Sequence, residues 1–474
     1  LYTRRGDYAL ARKHYEAALV ASQAAADTQG VVLSKLIHAR QNACDWDGIE
    51  ALWEKARAHV DDDTRQIMSP FPTLSMPLSP TQQLRAARAW SQLSYSAYQR
   101  PTPELRGGRD GRRLRVGYLS SDFRQHAVTY LMAELFELHD RNRFDVYLYD
   151  LGVDDGSPVR TRLKAAVSDL VELRNLSIGQ AADRIRADQI DILIDINGYT
   201  GGARTEIMAC RPAPIQVNWL GYPGTMGASF IDYILADPSV IPPGAEASYS
   251  EKVWRLPDCY QPNDRLREIG ETPTRESCGL PPDAFVFCCF NQSYKILPDV
   301  FDSWMRILKG VPGSVLWLVA GNSWVSDNLK RAAASRGVAP ERLVFAKRVT
   351  MPEYMAHYRL ADLALDTFPY TSHTTGSDAL RMGCPFVTHA GDTFASRVAA
   401  SLLTNVGLGE LVTTSLAESE SLTLALAHDR ERLTRMREKL RNEVLSSPLF
   451  DTGRFVRNLE LAYDGMYREV AGGR

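Results

Sequence analysis

Short apolar segments alternate with helical segments twice along this chain, and this alternation restricts its fold more than any other feature. The first set of predicted strands lies at 114–119, 144–149, 190–196, 215–220 and 233–236. A second set is predicted at 285–290, 314–320, 342–346, 363–368 and 385–389. The polar, proline-containing stretch 257–282 separates the two sets. Because strands that alternate with helices form mostly parallel sheets, the sequence predicts two consecutive α/β sheets. Ligands of such sheets bind at the carboxyl ends of the strands.

Residues 1 to about 100 have a different, helical pattern with an internal repeat. Asp7-Tyr8 is followed by Ala11, Tyr15 and Ala18, and Asp45-Trp46, thirty-eight positions later, is followed by Ile49, Trp53 and Ala56 at the same spacing. Paired aromatic residues with small residues between them are typical of helical repeats, which stack to form a concave surface for a peptide or protein partner. The alternative is two unrelated amphipathic helices.

Composition excludes several classes of protein. The 474 residues carry a formal net charge of −2, which gives no long-range attraction to nucleic acid or to an anionic membrane. Seven cysteines without a CxxC motif indicate neither a disulfide framework nor a zinc site, and we expect a reducing, cytoplasmic environment. No apolar run has the roughly 18 residues that a membrane span needs. Because the chain opens without Met inside a helical pattern, we expect residues upstream of Leu1.

The stretch 370–378 joins a predicted buried strand to a helical segment through small and hydroxyl-bearing residues. The first N–H groups of a helix have no partner inside the helix, and together with the helix dipole they form an anion site. Ser and Thr are also the ordinary residues that cap helices, so a plain capped turn is the alternative. Lys295 follows another strand of the same set and could add a positive charge, or could be a surface lysine. The two loops together predict a diphosphate site.

Three further polar residues follow strands of the first set. His126 comes after the first strand and is either a functional group or the cap of the next helix, and Tyr199 and Arg204 lie in a glycine-rich loop that could contact an acceptor or only form a turn. The sequence contains neither the glycine fingerprint of NAD enzymes nor a P-loop. The Asp-x-Asp pairs that could bind a metal, 45–47 and 61–63, lie in the helical region rather than at a strand end. We therefore expect a reaction without a metal or other cofactor.

Seven runs between residues 114 and 401 closely resemble the catalytic region of the O-GlcNAc transferases: LRVGYLSSDF, INGYTGGAR, RPAPIQVNWLGYPGT, FNQSYKI, VLWLV, HTTGSDAL and ASRVAAS. The resemblance implies a GT-B fold, in which two Rossmann-like domains face each other across a cleft, preceded by a tetratricopeptide region. It implies a bacterial member with a helical region at 1–100, a first catalytic domain at 113–275 and a nucleotide-sugar domain at 276–448. A C-terminal helix at 449–474 would pack back on the first catalytic domain.

The same resemblance implies roles for individual residues. His126 falls at an active-site histidine once proposed as the general base, and Lys295 falls at the lysine that neutralises the leaving diphosphate. The remaining implied nucleotide-sugar contacts are Gln292, Val349, Met351, Tyr354, His373, Thr374, Thr375 and Asp378. Among these, Asp378 would bind the ribose, and Val349 and Met351 would read the base with Tyr354 stacked beside it. Animal members carry Lys at the position of Met351 and His at that of Tyr354.

The resemblance implies an inverting, metal-independent enzyme that transfers GlcNAc from UDP-GlcNAc to Ser or Thr hydroxyls of a protein held by the helical region. Two alternatives stay open. The differences at Met351 and Tyr354 allow a GDP-fucose-dependent protein fucosyltransferase similar to the SPINDLY proteins. A repeat scaffold whose catalytic half binds nucleotide without turnover is the third possibility.

Overall fold

The computed structural model describes residues 8–21, 26–62, 67–106, 111–319 and 321–472. The N-terminal part of the chain is helical, as predicted, with helices α1 (Tyr8–Ala21), α2 (Ala26–Asn42), α3 (Ile49–Asp61), α4 (Pro70–Thr73) and α5 (Pro80–Tyr95). The packing face predicted for the second repeat is confirmed, because Ile49, Trp53 and Ala56 are buried on α3. In the first copy Ala11 is buried, whereas residues 6 and 7 lie outside the described residues.

A parallel sheet of seven strands follows: β1 (Leu114–Ser120), β2 (Phe144–Asp150), β3 (Asp169–Glu172), β4 (Ile192–Asp195), β5 (Ile215–Asn218), β6 (Tyr233–Ala236) and β7 (Lys252–Arg255). Their order is β3-β2-β1-β4-β5-β6-β7. The helices along this part of the chain are α6 (Ala127–Leu138), α7 (Pro158–Ala166), α8 (Ile178–Ala187) and α9 (Thr205–Ala209). The central strands are buried along their length, as expected for a parallel sheet whose two faces are both covered.

A second parallel sheet has the order β10-β9-β8-β11-β12-β13. Its strands are β8 (Val286–Cys289), β9 (Val315–Val319), β10 (Leu343–Ala346), β11 (Leu363–Leu365), β12 (Phe386–His389) and β13 (Val412–Thr413). Its helices are α10 (Pro298–Gly310), α11 (Ser323–Ser335), α12 (Met351–His357), α13 (Thr374–Arg381), α14 (Phe394–Asn405), α15 (Leu416–His428) and α16 (Arg430–Glu443). In the first sheet the strand order changes direction between β1 and β4, and in the second sheet it changes direction between β8 and β11. The carboxyl ends at such a reversal are the usual ligand site.

Residue contacts divide the chain into two compact units. The larger unit holds the described residues up to Gln82 together with Arg267–Ser447, and the smaller unit holds Gln83–Leu266 together with Pro448–Arg474. The helical region up to α4 thus belongs to the unit that contains the second sheet, rather than ending at residue 100 as a region of its own. The last helix, α17 (Thr452–Gly472), belongs to the unit that contains the first sheet.

Within the smaller unit, α17 packs through aromatic side chains. The Phe455 ring stacks on Trp219 with their centroids 5.9 Å apart, and the Tyr463 hydroxyl lies 2.9 Å from that of Tyr118 on β1. Among the described residues, no helix combines the length and the apolar character that crossing a bilayer requires.

Candidate active site

Lys295 lies in a 3-10 turn, Ser293–Lys295, directly after β8. Its side chain is buried, and its Nζ atom donates to the backbone oxygen of Thr371 at 3.0 Å. The same atom lies 3.8 Å from the centroid of the Tyr370 ring, close enough for a cation–π interaction. Burial lowers the pKa of Lys295 to about 7, against the opposing charge of Asp366. The alternative of a surface lysine is therefore wrong, and the ammonium group of Lys295 has a protonation equilibrium near neutral pH.

The turn at 373–375 lies beside Lys295, as the sequence predicts. His373 precedes α13, and the Nε2 atom of its ring lies 3.3 Å from the backbone oxygen of Ala395. Burial and the charge of Lys295 hold the pKa of His373 well below its usual value, so the ring is neutral and Nε2 carries the donated proton. The Thr375 hydroxyl donates to Asn291 Oδ1 at 2.5 Å. The first N–H groups of α13 have no partner inside the helix and suit an anion.

Asp366, directly after β11, fixes the shape of this turn and was not among the predicted site residues. Its Oδ1 atom accepts from the Ser372 N–H at 2.7 Å, from the Ser372 hydroxyl at 2.6 Å and from the Thr367 N–H at 2.8 Å. Its Oδ2 atom accepts from the Thr388 hydroxyl at 2.6 Å. Burial raises the pKa of Asp366, and these hydrogen bonds oppose that rise. The available sequence signal was a carboxylate that ends an apolar strand just before a turn of Ser and Thr residues.

Asp378, the predicted ribose ligand, is buried on α13 and accepts a hydrogen bond from Arg267 Nη1 at 2.6 Å. Burial raises the pKa of the Asp378 carboxyl, while the Arg267 guanidinium lowers it. The Nη2 atom of Arg267 also lies 3.4 Å from the sulfur atoms of Met351 and Met355. Arg267 therefore connects the carboxylate predicted for the ribose to the helix predicted to read the base. The sequence analysis missed it because residue 267 falls in the presumed domain junction.

The remaining residues that were predicted to contact the nucleotide lie in the same unit of the chain. Gln292 is exposed and begins the turn that carries Lys295. The Tyr354 hydroxyl lies 3.0 Å from that of Tyr358, which donates to the Thr375 oxygen at 3.1 Å. Val349 is 38% exposed. It lines a cavity of about 470 Å³ whose other walls include Trp317, Phe345, Lys347, Glu353 and His357. A cavity of this size beside Val349 has room for a nucleobase.

His126 belongs to the smaller unit, where it caps helix α6. Its Nδ1 atom accepts from the Val128 N–H at 3.3 Å and lies 3.6 Å from Asp122 Oδ2. Burial lowers the pKa of His126, although the charge of Asp122 opposes this. In the neutral ring an Nδ1 atom that accepts a hydrogen bond leaves the proton on Nε2. The Nε2 atom is then a donor, which suits positioning of a substrate better than removal of its proton.

A buried polar cluster holds Asp122 beside His126. Asn197 Nδ2 donates to Asp122 Oδ2 at 2.8 Å, and the Ser121 hydroxyl donates to Asp122 Oδ1 at 3.3 Å. The Ser121 N–H donates in turn to Asn197 Oδ1 at 2.7 Å. These residues follow β1 and β4, two neighbouring strands, which is the position where the sequence analysis placed unusual polar residues.

Tyr199 and Arg204 also lie in the smaller unit, and their polar atoms bind the backbone. The Tyr199 hydroxyl donates to the Met226 oxygen at 2.6 Å. Arg204 donates from Nη1 to the Leu173 oxygen at 2.9 Å and from Nη2 to the Leu176 oxygen at 2.7 Å. These contacts match the structural alternative for both residues, and contact with an acceptor stays a prediction.

The family model described as glycosyl transferase family 41 matches this chain over residues 44–269 and 264–459. The chain belongs to glycosyltransferase family 41. The structure of an O-GlcNAc transferase mutant from Thermobaculum terrenum superimposes with a TM-score of 0.85 at 32% identity, covering 99% of this chain and 89% of that one. The GT-B fold class with two Rossmann-like domains, predicted from the resemblance, is thereby confirmed.

Curated members of family 41 extend well beyond this chain. A probable UDP-N-acetylglucosamine–peptide N-acetylglucosaminyltransferase named SEC, from Arabidopsis thaliana, is 35% identical over 93% of this chain and 47% of its own length. The corresponding transferase of Caenorhabditis elegans is 31% identical over 91% of this chain and 48% of its own length. The rice SPINDLY protein, whose name carries the same probable activity, is 36% identical over 76% of this chain and 40% of its own length. The chain spans about half the length of these relatives.

Proposed function

We propose that this member of family 41 is an inverting, metal-independent glycosyltransferase that moves GlcNAc from UDP-GlcNAc to Ser or Thr hydroxyls of proteins. The observation that carries the proposal is the buried Lys295 ammonium group beside the start of α13. A nucleotide-sugar donor leaves as a diphosphate, and a buried cation together with unpaired helix N–H groups stabilises the charge that develops on it. The names of the family relatives supply the donor and the peptide acceptor.

The proposed reaction is one displacement. The acceptor oxygen forms a bond to the anomeric carbon while the bond from that carbon to the β-phosphate oxygen breaks, so the configuration inverts. The proton of the acceptor hydroxyl passes to the departing UDP, whose phosphate oxygens are the base that the substrate itself supplies. Lys295 and the amides near Thr374 and Thr375 take the role that a divalent metal plays in other transferases. Asp378 and the cavity beside Val349 would hold the ribose and the base. The His126 Nε2–H would orient the acceptor by donating a hydrogen bond, and the helical region would hold the protein acceptor.

The test is calorimetric titration in EDTA with UDP, UDP-GlcNAc and GDP-fucose. We compare the wild type with Lys295→Met and with Lys309→Met, a control that removes an exposed lysine at the end of α10 in the same unit. UDP and UDP-GlcNAc should bind the wild type and the control, and the affinity of Lys295→Met should fall at least tenfold, about 1.4 kcal/mol.

Three results would contradict this proposal in different ways. Binding of GDP-fucose without UDP-GlcNAc would indicate the fucosyl alternative, which the relatives' names do not favour. Binding of the nucleotide without transfer of the sugar to any protein in a cell extract would indicate the scaffold alternative. Loss of binding in EDTA that is restored by Mg²⁺ would contradict metal independence. NMR of the product's anomeric proton tests inversion directly.

A further inference from the structure

The end of helix α2 and the turn after it contact the turn that carries Lys295, and all of these residues lie in the larger unit. The Ser293 hydroxyl donates to the backbone oxygen of Asn42 at 2.7 Å. The Cys44 thiol donates to the backbone oxygen of Ser293 at 3.7 Å. The first residue of the Ser293–Lys295 turn is thus tied to the helical region through both its side chain and its carbonyl group.

A series of aromatic contacts continues from this junction to the Lys295 ammonium group. The His38 ring lies 5.1 Å from Tyr294, centroid to centroid. Tyr294 lies 6.0 Å from Tyr370, and Tyr370 is the ring that the Lys295 Nζ atom faces at 3.8 Å. Phe71 completes the packing, at 5.8 Å from His38 and 6.0 Å from Tyr294. Displacing His38 would therefore change the support of Tyr294 and, through Tyr370, the surroundings of Lys295.

The His38 ring is suited to a fixed, uncharged contact. Burial lowers its pKa to about 4, so it stays neutral across the physiological range. Its Nδ1 atom is buried and has no hydrogen-bond partner in the part of the chain that the structure describes. An unpaired buried nitrogen costs stability, and the ring keeps its contacts with Tyr294 and Phe71 in spite of that cost.

We propose that His38, Asn42 and Cys44 are positioning residues of the donor site. Through Ser293 and Tyr294 they fix the Lys295 turn, so the helical region determines the affinity for a nucleoside diphosphate in addition to any contact it makes with a protein acceptor. This inference rests on the proposed function, because it assigns the helical region a part in the same diphosphate site.

The test measures UDP affinity and its pH dependence for the full chain carrying Ser293→Ala or His38→Leu. The matched control is Asn328→Ala. Asn328 Nδ2 donates to the Ala43 oxygen at 2.8 Å, so this variant weakens the same helical contact without touching the Lys295 turn. We expect both test variants to bind UDP about fivefold or more weakly than the control. We also expect a shift in the pH at which affinity falls, which a general loss of stability does not produce.

The conservative Ser293→Ala variant keeps the test decisive if His38→Leu does not fold. UDP affinity within about twofold of the control, with an unchanged pH midpoint, would overturn the inference while leaving the proposed function intact. Equal losses in Asn328→Ala and Ser293→Ala would also overturn it, because they would reflect general loosening of the helical region. Failure of the wild type to bind UDP would instead remove the proposed function, and this inference with it.

Discussion

The protonation of Lys295 predicts how nucleotide binding depends on pH. Burial lowers the pKa of this lysine to about 7 from its ordinary 10.5. About half of the free protein then carries the ammonium group at pH 7, and about one-hundredth carries it at pH 9. Only the charged form neutralises a diphosphate. If the bound nucleotide holds the lysine protonated up to pH 9, UDP affinity should fall about 50-fold between pH 7 and pH 9, roughly 2.3 kcal/mol.

The assay is calorimetric titration with UDP at half-unit steps from pH 6 to pH 9, in buffers of constant ionic strength. Lys295→Met should bind UDP weakly and with little change above pH 7, which also corrects for ionisation of the nucleotide itself. A wild-type affinity that stays constant to pH 9 would refute the reasoning, since it would mean that the ammonium group is not desolvated as its burial implies.

A second measurement tests the same shift without ligand. Between pH 7 and pH 10.5 the unfolded chain holds a proton on this lysine that the folded chain has lost. The free energy of unfolding should therefore rise with pH in this window, by at most about 1.4 kcal/mol per unit, relative to Lys295→Met. A falling difference between the two proteins would show that the sign of the shift is wrong.

Three further substitutions test individual residues of the two units. Asp366→Asn removes the negative charge that raises the pKa of Lys295, so the pH at which UDP affinity falls should move lower in the same titration. Arg267→Met leaves the buried Asp378 carboxylate without its partner and should lower the free energy of unfolding in urea by about 3–5 kcal/mol, part of which Arg267→Met/Asp378→Asn should restore. His126→Ala should lose about 1 kcal/mol of stability as the helix cap is lost, whereas His126→Asn should keep it. If His126 is a donor, the acid limb of the pH–rate profile should persist in His126→Asn, and its disappearance would indicate a general base.

The fold followed from sequence wherever strands are apolar and buried. The predicted strand at 314–320 corresponds to β9, Val315–Val319, and the predicted 385–389 to β12, Phe386–His389. Three strands were not predicted: β3, β7 and β13. They are short, each has as many polar as apolar residues, and each lies at an edge of its sheet, where no continuous apolar run is needed.

The predicted strand at 363–368 was too long for a specific reason. β11 ends at Leu365 because the Asp366 carboxylate accepts the N–H groups of Thr367 and Ser372, which bends the chain away from the ladder. Such local side-chain bonds compete with sheet hydrogen bonds. The sequence does not show which N–H groups such an Asp will bind, because an Asp that follows an apolar strand is equally compatible with a solvated position.

Some features of the candidate site also followed from the sequence, whereas others depend on contacts between distant residues. The carboxyl-end rule for parallel strands brings Lys295 and His373 together, because β8 and β11 are neighbours in the sheet. Arg267 and Asp378 are separated by 111 residues, and no periodicity connects them. Asp122 stood in the motif after β1, but its function as a support for His126 depends on Asn197 from another strand. Sequence reasoning thus located the loops of the site, while the carboxylates that fix their shapes required the contacts.

Lys295 connects these observations to the proposed reaction. A lysine in a full ion pair with a carboxylate would stay charged at all physiological pH values, but the carboxylate would compete with the diphosphate for it. Here the Asp366 carboxylate accepts hydrogen bonds from Thr367, Ser372 and Thr388. The Lys295 amine instead contacts a backbone oxygen and an aromatic ring. Neither contact is an anion, so the arriving diphosphate would be the strongest partner available to the ammonium group. Protonation of Lys295 and donor binding should therefore be linked. The Ser293–Lys295 turn contacts the helical region, so changes in that region should change this linkage.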